Sequence, residues 1–240
     1  MEAIWFCGLG KSALINAMFS PVMNRSEIDN IRLNFGKQEI LKGIYFKAKK
    51  GKVTGILGSN GSGKTSLLRI IFGELKPQNK LLRIDDKPIR KPLYVTKQVH
   101  YLPQFHFIPP NLSIERVFFF FKRNFQEFVC LFPHFRGMHS YQFGKLSGGE
   151  KRLVEVYISI HSEATILLLD EPFSYLSPVY NELLMAEISK IRHEKCIIIT
   201  DHLYDKILDI SDDLYLIREG YSKKIEEKED LIRLNYLRSF

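Results

Sequence analysis

The apolar positions of this chain fall into two kinds of run, and they alternate along most of its length. Ile28, Ile31 and Leu33 repeat at every second or third position, and Ile44 and Phe46 do so again, which reads as two half-buried strands. Residues 53–57 form a short apolar run, and an apolar helical pattern then extends to about Gly73. Short strands are expected at 81–84 and 100–102, and continuous apolar strands at 164–169 and 196–200. Helical spacing appears over 111–145, 179–192, 203–210 and 226–237, with a strand at 213–217 and a turn at Gly220. Strands that alternate with helices, several of them apolar throughout, predict an α/β fold whose sheet is covered on both faces.

Residues 1–22 do not share this pattern. Glu2 and Lys11 break the basic-then-apolar order of a signal peptide. Gly8, Gly10, Lys11 and Ser12 imitate the end of a phosphate loop, but Trp5 occupies the place of its leading glycine and no strand precedes it. This stretch is expected to be a dispensable extension, with the domain proper spanning 23–240.

Length and composition fit one soluble α/β domain of 240 residues. Cys7, Cys130 and Cys196 are few and scattered, which argues for a reducing compartment and against a structural zinc site. No stretch approaches the roughly 18 apolar residues of a membrane span. The net charge of +8 is spread along the chain without a dense basic arm, so no nucleic-acid partner is expected.

The chemistry concentrates in three places. Gly58, Ser59, Asn60, Gly61, Ser62, Gly63, Lys64 and Thr65 form a complete phosphate-binding loop, followed by Ser66 at a helix start. Its glycines let backbone N–H groups curl onto phosphate oxygens, and the helix points its positive end at the same anion. Lys64 can reach the β- and γ-phosphates, and the Thr65 hydroxyl can ligate Mg²⁺. The apolar run 166–169 then ends in Asp170 and Glu171. A buried strand delivers such a pair to the ligand-binding edge of the sheet, Asp170 for Mg²⁺ and Glu171 for the attacking water. Ser147, Gly148 and Gly149 precede a helix and offer a second phosphate cradle. Two cradles on distant segments suggest that a second copy supplies the other half of the site.

Taken together, these motifs resemble the ATP-binding subunits of ABC transporters over about residues 27–240. The stretch Leu146, Ser147, Gly148, Gly149, Glu150 is similar to the family signature. The resemblance implies a phosphate-loop NTPase of ABC type: a mostly parallel core sheet flanked by helices, antiparallel N-terminal strands, and a short helical subdomain at about 105–150. It makes Gln104 the lid glutamine beside Mg²⁺, His202 the switch histidine on the γ-phosphate, and Phe35 the adenine-stacking ring. It implies ATP hydrolysis with Mg²⁺, catalysed by Lys64, Gln104, Glu171 and His202 within a dimer, a homodimer being expected. A transmembrane permease would be the further partner, on the cytoplasmic face of the inner membrane. The sequence is weakly like the lipopolysaccharide-export branch at 170–173 and 199–202. Ser177 departs from the family, which carries an aspartate there, and this puts coupling between paired sites in doubt. Competing readings are a soluble ABC protein acting on ribosomes or DNA, and a nucleotide-gated regulator. The first normally needs a second cassette or a coiled coil, neither of which is present.

The interval between Gln104 and Ser147 holds 11 of the 18 phenylalanines. Phe118, Phe119, Phe120 and Phe121 span a helical turn, so they cannot all face one core. Two readings are open: a close-packed aromatic miniature core, or a groove with exposed rings that takes an apolar partner helix.

Overall fold

The computed structural model describes residues 25–35, 38–234 and 236–237, with the side chains of 25–30 and Phe35 excepted. The expectations for residues 1–22 and for the Phe35 ring therefore lie outside what is described.

Among the described residues ten strands form one sheet: β1 (Arg25–Phe35), β2 (Gln38–Lys49), β3 (Val53–Leu57), β4 (Asn79–Ile84), β5 (Lys87–Pro88), β6 (Val99–Leu102), β7 (Ile166–Asp170), β8 (Cys196–Thr200), β9 (Asp213–Arg218) and β10 (Tyr221–Ile225). The spatial order is β5-β4-β1-β2-β10-β9-β3-β8-β7-β6. From β9 to β6 every pairing is parallel. The other half is antiparallel, apart from one parallel bridge that joins β10 to β2 at Tyr221 and Gly43.

Among the described residues seven α-helices accompany the sheet: α1 (Lys64–Phe72), α2 (Ile114–Phe120), α3 (Phe125–Leu131), α4 (Gly148–Ile160), α5 (Pro178–Ile191), α6 (Tyr204–Ile210) and α7 (Glu229–Arg233). Alternate residues of the central strands feed two separate cores. Ile166, Leu168 and Ile198 pack with α1, whereas Leu167, Leu169, Ile197 and Ile199 pack with α4, α5 and the aromatic segment. Burial on both faces is why these strands read as unbroken apolar runs.

The segment 111–145 differs from its helical expectation. Only α2 and α3 are α-helical, and two short 3₁₀ turns follow, Pro133–Phe135 and Phe143–Lys145. Lys122 adopts a left-handed φ of 53° and Asn124 caps α3, so the helix must restart. Pro133 and the left-handed Gly137 (φ 81°) prevent its continuation. The tail at 226–237 keeps only α7, because the N–H groups of Tyr236 and Leu237 turn back to the Leu231 carbonyl. Strands β5 and β10 carry no apolar alternation, so the apolar pattern does not predict them. Glu219 and Gly220, at φ 53° and 86°, make the two-residue turn that closes the β9–β10 hairpin.

Within the aromatic segment the four consecutive rings divide. Phe118 is 1% exposed, Phe121 packs against the core, and Phe119 and Phe120 are 77% and 64% exposed. Phe128 sits at the centre of the buried rings, 4.8–6.2 Å from Phe118, Phe125, Phe132, Phe135 and Tyr157. Phe128→Ala is expected to cost about 3–5 kcal/mol, the usual loss for a large buried ring. Urea unfolding followed by circular dichroism measures it, and a loss below about 1 kcal/mol would show that the cluster refills the cavity.

Candidate functional site

Strand register brings the chemistry to one edge. Ile56 of β3 and Asp170 of β7 both pair with Thr200 at the end of β8. The segments that follow, 58–65, Glu171 and 201–202, therefore leave the sheet side by side at its C-terminal edge, where open α/β folds bind ligands.

The loop between β3 and α1 is shaped by the absence of Cβ atoms. A Cβ on Gly58 would lie 2.4 Å from Ser62 Oγ, and one on Gly63 would lie 2.7 Å from Leu41. Gly61 and Gly63 also hold φ values of 78° and 100° that other residues adopt at a cost. Lys64 lies across the loop, with Nζ donating to the Gly58 carbonyl at 2.6 Å and to Ser59 at 3.2 Å. Burial pulls its pKa down, while Glu171, Asp170 and Asp201 oppose the change. Beside it opens a cleft of about 320 Å³, lined by Ile40, Asn60, Gly61, Gly63, Thr65, Ser66, Gln104 and Glu171 as well as Lys64. Gly58, Ser59 and Ser62 support the loop without lining the cleft. Ile40 was not singled out in the sequence, where it is one more apolar residue of a strand.

Asp170 is 1% exposed and accepts from Thr200 Oγ1 at 2.8 Å, from Tyr101 Oη at 3.1 Å and from the Thr65 hydroxyl. It reaches the cleft through Thr65. Thr65, Asp170 and Gln104 offer hard oxygen donors of the type Mg²⁺ prefers.

Glu171 is the meeting point. Its Oε2 accepts from Gln104 Nε2 at 2.9 Å and from Ser174 Oγ at 3.2 Å, and lies 3.5 Å from His202 Nδ1. Its backbone occupies the left-handed region at φ 52°, a strained conformation typical of functional positions. His202 is half exposed at the rim. The adjacent Asp201 is buried and accepts from the Phe173 and Leu203 N–H groups, which fixes the turn.

Ser147 caps α4. Its hydroxyl accepts from Glu150 N at 3.2 Å and the Glu150 carboxylate accepts from Ser147 N at 2.7 Å, a reciprocal capping box. Gly148 faces open space, whereas a Cβ on Gly149 would meet the Tyr175 carbonyl at 2.8 Å. None of Ser147, Gly148 and Gly149 lines the cleft beside Lys64. Ser177 takes a local role as cap of α5, accepting from Tyr180 N at 3.5 Å.

Two charged residues that sequence reasoning missed support the site from below. Arg152 donates to the Pro103 carbonyl at 2.7 Å and to the carbonyls of Asp170 and Glu171 at 2.5 and 2.9 Å. Glu155, fully buried, accepts from the Phe107 N–H at 2.9 Å and pairs with His106 Nδ1 at 2.8 Å. The available signal was a pair of charges three residues apart inside the apolar run of α4.

Burial raises the pKa of Asp170 above the ordinary carboxylate value, so the folded chain holds that proton more tightly than the unfolded one. Stability then falls as pH rises through the window between the unfolded and the raised folded values, and stays lower above it. Asp170→Asn removes that cost. Its Tm is expected to exceed the native one near neutral pH, with the gain shrinking as pH is lowered through the carboxylate range. Melting curves across pH test this, and a constant or negative difference would refute it.

Comparison with known proteins agrees with this geometry. A family profile described as ABC transporter matches residues 41–174. A probable branched-chain amino acid transport ATP-binding protein LivF of Archaeoglobus fulgidus is 30% identical over 206 residues, covering 79% of this chain and 87% of that protein. The Nod factor export ATP-binding protein I of Burkholderia orbicola is 27% identical, covering 82% of this chain and 68% of the other. A solved structure of an ATP binding subunit of an ABC transporter superposes with a TM-score of 0.76 at 20% identity, over 90% of this chain and 95% of that one. The strand order, the phosphate loop and these matches converge: the chain belongs to the ABC transporter family and is one of its ATP-binding, ATP-hydrolysing subunits.

Proposed function

We propose that the cleft beside Lys64 holds the triphosphate of ATP and that hydrolysis there drives a transporter through closure of a dimer. The observation that carries this reading is the Glu171 carboxylate. Its Oε2 is held by Gln104 and Ser174, whereas Oε1 carries no hydrogen bond among the described residues and is free to take a proton from water. Lys64 neutralises charge on the β- and γ-phosphates, and the loop N–H groups at 58–65 cradle them. His202 steadies Glu171 from the rim and reaches toward the γ-phosphate. Thr65 and Gln104, with Asp170 behind Thr65, would hold Mg²⁺. When bound, that ion neutralises developing negative charge. Ile40, which lines the cleft, supplies an apolar side for adenine, and Phe35 is the ring that the family resemblance assigns to stack on it.

Ser147, Gly148 and Gly149 serve the cleft of a second copy. Their separation from the cleft of their own chain, and their position at the N-terminus of α4, support a head-to-tail sandwich. A homodimer is the simplest assembly. Among the described residues no helix is long and apolar enough to cross a membrane. We place the subunit on the cytoplasmic face of the inner membrane, against a transmembrane permease. Residues 105–150 act as its docking subdomain, and residues 1–22 as a dispensable extension. The exposed pair Phe119 and Phe120 offers the apolar contact, for a dense exposed aromatic patch marks an interaction site.

Glu171→Gln is expected to retain ATP binding and to lose roughly 10²–10⁴-fold in turnover, the usual contribution of a general base. In that background ATP with Mg²⁺ should convert monomer to dimer in light scattering, and adding Ser147→Arg should prevent it. Undiminished turnover refutes the role of Glu171. A dimer indifferent to nucleotide and to Ser147→Arg refutes the sandwich.

Phe119→Ser combined with Phe120→Ser should leave basal turnover and Tm near native values, since both rings are solvent-exposed. The same variant should lose co-purification with a multi-span membrane protein identified by mass spectrometry. Retained co-purification would move the docking site elsewhere.

A further inference from the structure

We propose that Arg152 and Glu155 are positioning residues that lock Gln104 and Glu171 to the signature helix α4. This rests on the roles given above to Gln104 and Glu171. Both side chains are buried, at 1% and 0% exposure, and their closest approach is 3.9 Å, so neither is satisfied by the other alone. Their hydrogen bonds go elsewhere. Arg152 holds the Pro103 carbonyl on one side of Gln104. Glu155 holds His106 and the Phe107 N–H on the other. The lid glutamine is thus pinned at both flanks by a single helix. The second Arg152 nitrogen grips the carbonyls of Asp170 and Glu171, so the same helix also fixes the backbone that carries the two acids.

The energetics favour a role beyond stability. Burying two charges costs several kcal/mol each before any pairing, and a well-packed apolar pair often stabilises as well or better. Arg152 Nε is also left without a partner. What this arrangement supplies that apolar residues would not is geometric coupling. The Arg152 guanidinium lies in the second turn of a helix whose N-terminus is Ser147, Gly148 and Gly149. A rotation of α4, driven by a phosphate engaging that end, moves the Gln104 segment and the Glu171 backbone together. Occupancy of the partner-facing cradle is thereby transmitted to the chain's own water-activating group.

The test uses the full chain at a temperature where every variant is folded. Glu155→Ala is expected to lower kcat about 10–100-fold, the range typical when a group that orients a metal ligand, here Gln104, is removed. Its KM for ATP should stay within about twofold, because no nucleotide contact is lost. His106→Ala, at a partly exposed position where water can replace the ring, should lower kcat in the same sense with a smaller loss of Tm than Glu155→Ala. Glu155→Gln should recover most of the rate, since its amide keeps an acceptor for Phe107 N–H and offers an N–H to the other tautomer of His106. The half-saturating Mg²⁺ concentration should rise in Glu155→Ala, because Gln104 is no longer held. Native kcat and native Mg²⁺ dependence in His106→Ala and Glu155→Ala, with only Tm lowered, would overturn the proposal and leave Glu171 untouched. Undiminished turnover in Glu171→Gln is the separate result that removes the reading beneath it.

Discussion

Three adjacent parallel strands, β3, β8 and β7, end at the same level, and the site depends on that register. Ile56 and Asp170 both face Thr200, so a phosphate loop, an acidic pair and a histidine turn from distant parts of the chain emerge within hydrogen-bond reach. The register is itself a consequence of burial on both faces. A shift of one residue would exchange Leu167 and Leu169 with Ile166 and Leu168 between two cores of different shape. Packing of ordinary aliphatic side chains therefore sets the distances on which the chemistry relies.

Against that apolar background the buried polar groups stand out. Asp170, Asp201, Thr200, Arg152 and Glu155 are all almost wholly enclosed, and their acceptors and donors are largely paired within the site. Such a network is costly to assemble and tolerates little displacement. It leaves the exposed members, His202 and Gln104, as the parts able to respond to a ligand. Glu171 and Tyr175, beside this network, also hold left-handed backbone conformations.

The aromatic segment solves a different problem. It must form a rigid body from two short helices and two 3₁₀ turns, with few residues to bury. Phenylalanine supplies large area at low rotamer cost. The ring cluster around Phe128 makes the segment continuous with the core beneath the sheet, while Phe119 and Phe120 remain on the surface. The expectation of a compact aromatic core describes the rings around Phe128, and Phe119 and Phe120 are the rings left exposed.

The central strands were legible in the sequence because full burial writes itself as an unbroken apolar run. The phosphate loop was legible because its glycines, lysine and threonine have little other use at that spacing. Asp170 and Glu171 could be read because a buried strand that stops in two acids has few structural explanations. The breaks at Lys122 and Pro133, and the strand β10, were not legible. They follow from backbone conformation and sheet pairing, not from the apolar period. Nor could the sequence show that Arg152 and Glu155, charges in an apolar helix, reach the flanks of Gln104 and the carbonyls of the acids. Local order in the chain marked which residues are candidates for the chemistry. Only the tertiary structure decided which of them are held together, because hydrogen bonds between segments some 50 residues apart leave no periodic trace in either.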